Sequence, residues 1–185
     1  MKELSPDFFE RDVIVVAKDL LGKIIQINGC STRIVETEAY GRDAASHAFT
    51  KTPRSAIMYD TYGQVYVYLI YGMYYCLNFT TNPIGEAGAV LIRAAEPLTG
   101  IAKIKKRRKT EKITALCNGP GKLCSALNID TKLNDTKIGS EIKVFDDGFQ
   151  ISKIGKSSRI GIKDAQHLPW RFYIEGNEFV SKNKK

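Results

Sequence analysis

The sequence predicts an α+β domain built on antiparallel strands. Three observations carry that expectation: one helical repeat of apolar residues near the start, several segments alternating with period two, and Asn-Gly and Asp-Gly dipeptides suited to hairpin turns. The 185 residues, 43% of them apolar, suffice for a single compact domain over residues 1–185 with its own core.

The elements follow in order. Ser5-Pro6 reads as an N-cap with proline in the first turn, and Val13, Val16, Ala17, Leu20 and Leu21 recur at helical spacing until Gly22. An amphipathic helix covering the core is expected. KIIQI and STRIVETEAY then flank Asn28-Gly29, a dipeptide that accepts the positive φ angles of a tight turn, so these segments form an antiparallel pair. Strict alternation places Ile34, Glu36, Glu38 and Tyr40 on one face of the second strand, and Val35, Thr37 and Ala39 on the other.

QVYVYLIYG alternates likewise: Val65, Val67 and Leu69 suit a core, Tyr66, Tyr68 and Ile70 line the opposite face, and Gly72 turns the chain. AVLIRAAEPL is a third apolar strand, interrupted by the charge of Arg93. The basic run KIKKRRKTEK (103–112) precedes NGPGKLCSALNI, where Leu123, Ala126 and Leu127 indicate a short helix. The last third reads as strands and turns: EIKVF and FQISKI around Asp147-Gly148, then RIGI, then WRFYI and a polar tail, SKNKK.

Composition narrows the function classes. With 28 basic against 20 acidic residues, the net charge of +8 favours a polyanionic partner such as nucleic acid. No apolar run is long enough to span a bilayer and the first residues are too polar for a signal peptide, so a cytoplasmic location without membrane association is expected, at the nucleoid if the source is bacterial. Cys30, Cys76, Cys117 and Cys124 stand singly and only two histidines accompany them; reduced core thiols are expected, with no metal and no cofactor.

Several residues are candidates for chemistry, each with a structural alternative. Glu38, between apolar residues and Tyr40, suits a pocket wall where desolvation raises a carboxylate's basicity, or else it is a solvent-facing strand residue. Arg93 either holds that carboxylate and a water, or forms a structural pair with Glu36. His47 follows Asp43 by four positions, a spacing that lets a carboxylate fix its tautomer if the segment is helical. The paired tyrosines either stack on a planar base or fill a half-buried sheet. The basic run either meets phosphates or is a solvated helix face, and NGPGK lacks the spacing of an NTP-binding loop.

Taken in order, RIVETEAY, DAASHA, YVYLIYGMYYCLN, VLIRAAEPLTG, NGPGKLCSAL and RIGI resemble the 3-methyladenine DNA glycosylase family of the alkyladenine type, over about residues 5–178. The resemblance implies a curved antiparallel sheet with flanking helices and a protruding hairpin that enters the DNA minor groove. It implies a monofunctional, metal-free chemistry in which a damaged purine is flipped from double-stranded DNA and its N-glycosidic bond is hydrolysed by a monomeric enzyme.

By motif, Glu38 corresponds to the general base, Arg93 to a residue holding the attacking water, and the main-chain carbonyl of Ile160 to its third contact. Tyr40, His47, Tyr68 and Asn78 correspond to the base pocket, and Tyr71, with Met73 and Tyr74 beside it, to the wedge that replaces the extruded nucleotide. The chain departs from the family pattern at AFTKTPRSAIMY, where Phe49 or Thr50 stands for a usual glycine and Ser55 for a usual asparagine. An alternative from another class is a noncatalytic nucleic-acid-binding module using Tyr68, Tyr71 and the basic run.

Overall fold

A computed structural model describes residues 1–181; apart from Ser181, the polar tail SKNKK lies outside the described residues. Among the described residues, nine strands form one sheet: β1 (Lys2–Glu3), β2 (Ile24–Ile27), β3 (Cys30–Tyr40), β4 (Val65–Ile70), β5 (Tyr74–Thr80), β6 (Ala89–Thr99), β7 (Lys143–Asp146), β8 (Ile154–Ser157) and β9 (Arg171–Ile174). The helices are α1 (Val13–Asp19), α2 (Ile57–Asp60), α3 (Ile101–Arg108) and α4 (Pro120–Leu127). The main strand order is β1-β7-β2-β3-β6-β5-β4, and every pairing is antiparallel. The far half of β3 pairs in addition with β9, which carries β8.

Local chemistry explains most of these elements. Asn28 and Gly29 take φ of 54° and 70°, and the β2–β3 hairpin closes on them as expected. The helix begins later than Ser5-Pro6 suggests: those residues open a separate 3₁₀ turn in which Ser5 makes no capping bond. Asp12 caps α1 instead, its Oδ1 accepting from the amides of Ile14 (2.9 Å) and Val15 (3.1 Å). The predicted stripe from Val13 to Leu21 is buried as expected.

The Asp147-Gly148 hairpin does not form. β7 pairs with β1 and β2, and FQISKI is not a strand until its last residue, Ile154, which opens the next strand, Ile154–Ser157, paired with β9. Arg33 takes both Asp147 oxygens at 2.9 and 2.8 Å, while Asp146 and Asp147 accept from the amides of Gly148 and Phe149, which turns the chain away from β7. RIGI is likewise a loop, whereas WRFYI supplies β9.

The central β3–β6 ladder is irregular where it matters for the site. Ile34 faces Ala95, Glu36 faces Ala94, and Thr37 faces Ile92, so Val35 and Arg93 are each left without a partner residue. Bulges bend and twist a strand and re-aim its side chains. They also break the strict alternation: Ile34 and Val35 are both in the core. Beyond the bulges, Thr37 points to α1, its hydroxyl donating to the Ala17 carbonyl at 2.7 Å, so Glu38 points to the opposite face.

On β4 the alternation holds for buried Val65 and Val67 but fails at Leu69, which is exposed because the β4–β5 hairpin has by then passed the edge of the core. A smaller apolar cluster of Ala48, Met58, Tyr66, Ala87 and Ala89 supports Tyr40 and Tyr68 from behind. Among the described residues, no helix is long and apolar enough to cross a membrane.

Candidate active site

A cleft of about 1250 Å³ opens on the sheet face away from α1. Tyr40, His47, Tyr68, Asn78, Arg93 and Ile160 line its inner part, and Tyr71, Met73 and Tyr74 its outer rim. Glu38 lies just beneath, wholly buried. Its Oε1 accepts from the Ile160 amide at 2.7 Å and its Oε2 from the Tyr40 hydroxyl at 2.8 Å. Arg93 brings Nη1 to 3.3 Å from the same Oε2. Burial pushes the Glu38 carboxyl above its ordinary 4.5, Arg93, Ile160 and Tyr40 oppose that push, and the charge of Glu36 adds to it.

Arg93 stands beside both carboxylates, since its Nε is also 3.3 Å from Glu36 Oε1. Glu36 is itself buried and accepts from Arg171 Nε at 2.6 Å and from the Ser181 amide and hydroxyl at 2.7 and 2.8 Å. Arg171–Glu36–Arg93–Glu38 is therefore a buried row of alternating charge. Removing one partner from such a buried pair costs about 3–5 kcal/mol, because the other is left uncompensated.

The pocket wall is fixed by residues that sequence reasoning left out. Asp43 does not touch His47, because residues 43–46 are not helical and its carboxylate grips Arg159 at 2.6 and 3.0 Å. His47 Nδ1 instead meets the Tyr66 hydroxyl at 2.8 Å, and its ring stands edge-on to Tyr68 with centroids 4.6 Å apart. Burial and then the charge of Arg54 push the imidazole below its usual pKa, so it is neutral at pH 7. Arg54 also lies 5.2 Å from the Tyr68 ring centroid. Asn78 spends its amide hydrogens on the Tyr66 and Cys76 carbonyls at 3.0 and 3.3 Å, so its side chain is held rigidly in the wall.

Arg159 is a second missed anchor. Its guanidinium donates to the Ala39 carbonyl at 3.0 Å and lies between the Tyr40 and Trp170 rings, 4.5 and 5.3 Å from their centroids. It thereby ties the loop that carries Ile160 to the strand that carries Glu38 and Tyr40. Its position next to Ile160 in RIGI was the available signal, as Tyr66, two residues before Tyr68 on the same strand face, was for the His47 partner.

The outer rim is the β4–β5 turn. Tyr71 and Gly72 take φ of 53° and 67°, and Tyr71, Met73 and Tyr74 are 79%, 66% and 51% exposed. Exposed apolar side chains clustered in this way are a recurrent feature of contact surfaces. Behind them, a Cβ on Gly121 of α4 would meet the Tyr74 side chain at 3.0 Å, so a glycine is what lets that tyrosine lie against the helix.

Residues 7–178 match the methylpurine-DNA glycosylase family. The chain belongs to that family. Proteins bearing the name "Putative 3-methyladenine DNA glycosylase" include one from Rhizobium etli, 48% identical over 95% of this chain and 87% of its own length. Others come from Desulfitobacterium hafniense, at 42% identity over 98% and 99%, and Clostridium perfringens, at 45% over 97% and 98%.

Proposed function

We propose that this protein is a monofunctional DNA glycosylase that removes alkylated purines, foremost 3-methyladenine, from double-stranded DNA by hydrolysis. The observation that carries the reading is Glu38, a buried carboxylate with three donors on it at the floor of an aromatic cleft. A module that only bound nucleic acid would have no use for that arrangement, which costs desolvation energy and offers no contact at the surface.

The donor count on Glu38 supports the details. A carboxylate oxygen has two acceptor sites, so Oε2 is filled by Tyr40 and Arg93 while Oε1, holding among the described residues only the Ile160 amide, keeps one for a water. A water there, beside the Ile160 peptide, gives a proton to Glu38 as its oxygen adds to C1′ of the deoxyribose. The C1′–N bond electrons leave with the purine, and an abasic site remains. Tyr40 and Tyr68 enclose the extruded base, His47 contacts its edge, and Asn78 obstructs the exocyclic amino group of guanine. Tyr71 takes the vacated place in the stack, with Met73 and Tyr74 beside it, which offsets part of the few kcal/mol that flipping costs.

A methylated purine is cationic and departs without further protonation, whereas hypoxanthine needs a proton. The neutral His47 is a poor acid for that purpose, so release of hypoxanthine is expected to be slower than release of 3-methyladenine. The test is release of free base from methylated duplex DNA. Wild-type protein liberates 3-methyladenine and leaves alkali-labile sites, and Glu38→Gln retains DNA binding while release falls by about 10² or more. Undiminished release by Glu38→Gln removes Glu38 from the mechanism, and binding without release by the wild type favours a noncatalytic module.

A further inference from the structure

We propose that Glu36 is a positioning residue that keeps Arg93 from closing on Glu38 with both of its arms, and that Ser181 and Arg171 set how firmly it does so. The inference rests on Glu38 being the base. Arg93 stands 3.3 Å from each carboxylate, with Nε toward Glu36 and Nη1 toward Glu38, and Nε makes no well-aligned hydrogen bond to any described residue. A guanidinium's preferred engagement with a carboxylate is bidentate. With Glu36 neutralised, Arg93 is free to adopt that geometry on Glu38 and would cover the open acceptor site of Oε1, where the water belongs.

Glu36 has no direct route to substrate. It lies wholly buried, and its oxygens are taken by Arg171, by the Ser181 amide and by the Ser181 hydroxyl. Ser181 Oγ and Arg171 Nε bind Oε1, the same oxygen that attracts Arg93. Their donation weakens the pull on Arg93, so the segment after β9 adjusts the site through one oxygen atom. Arg171 is braced in turn by the Ser157 hydroxyl at 3.0 Å and by the Tyr173 ring.

The readout is the acid limb of the pH–rate profile, which marks protonation of the base. The groups around Glu38 are Glu36 and Tyr40 from β3, Arg93 from β6, Tyr68 from β4, Cys76 from β5 and the Ile160 amide. Loss of the Glu36 charge removes a repulsion and strengthens the Arg93 attraction. Both changes favour ionised Glu38, so the limb moves to lower pH.

Single-turnover release of 3-methyladenine is measured from pH 4.5 to 9 for wild type, Glu38→Gln, Glu36→Gln and Ser181→Ala. Glu36→Gln is expected to lose about tenfold or more in rate at pH 7, with its limb lowered by about half a pH unit and DNA affinity within about twofold of wild type. An unshifted limb, with the rate reduced only as far as the DNA-binding-competent fraction, overturns the proposal and leaves Glu36 structural. Ser181→Ala keeps every charge and serves if Glu36→Gln does not fold: with one donor gone, Glu36 draws Arg93 more strongly and the limb moves upward. An unmoved or lowered limb in Ser181→Ala also overturns it. Active Glu38→Gln would instead defeat the underlying assignment of the base, a result distinguishable from either.

Discussion

At Glu38 the conflict between burial and charge has a consequence for stability as well as for chemistry. Burial raises its pKa above the ordinary 4.5, so the folded protein holds that proton more tightly than the unfolded chain does. From about pH 4.5 up to the raised value the unfolded state therefore binds fewer protons, and stability contributed by this residue declines with rising pH by up to about 1.4 kcal/mol per unit. Glu38→Gln abolishes that titration. The melting temperature of Glu38→Gln minus that of wild type should thus increase as pH rises from 4.5, then level off above the raised pKa; a difference that stays constant over this range contradicts the account. The sequence showed Glu38 as a pocket candidate because a carboxylate followed apolar residues and preceded a tyrosine. It could not show the Ile160 amide, 122 positions away, nor the exchange of partners by which Asp43 goes to Arg159 and His47 to Tyr66.

Elements were legible where the code is local and obscure where a distant charge decides. Asn28-Gly29 makes its hairpin because both residues tolerate positive φ, and α1 follows from a repeat contained in nine residues. Asp147-Gly148 carries the same kind of signal, yet Arg33 on β3 claims the Asp147 carboxylate and the strands around it find other partners. The bulges at Val35 and Arg93 were hidden for a related reason: either strand alone reads as regular, and only their mismatch shows the irregularity. Arg33 holds Asp147 down to about 2, so this pair contributes stability above the ordinary aspartate range and loses it as pH falls through about 2. Asp147→Asn is accordingly expected to lower the melting midpoint by about 2–4 °C at pH 7, by the scale of one partly exposed pair, and by progressively less toward pH 2. An unchanged midpoint at pH 7 would mean that the backbone turn, rather than the ion pair, directs the chain away from β7.

At the scale of the whole molecule the proposed function would draw on two separable forces for holding DNA: the net charge of +8 and the apolar tip of the β4–β5 hairpin. Much of the basic run is committed to the fold, since Arg107 donates to the Ala126 carbonyl, Arg108 to the Leu116 carbonyl, and Lys105 pairs with Glu111. Electrostatic attraction acts through counterion release, so it falls steeply with salt and is indifferent to lesions, whereas a wedge in the base stack is nearly independent of salt. Tyr71→Ala removes aromatic surface without altering charge. Binding of Glu38→Gln, expected to be inactive, and of the Glu38→Gln, Tyr71→Ala double variant to a duplex bearing one lesion, measured between 50 and 200 mM salt, separates the forces. The double variant should bind about tenfold more weakly, in keeping with about 1–3 kcal/mol for one stacked ring, along a parallel line of log affinity against log salt. A changed slope would place Tyr71 among the residues that organise phosphate contacts instead, and the hairpin would then act by orienting the backbone rather than by entering the stack.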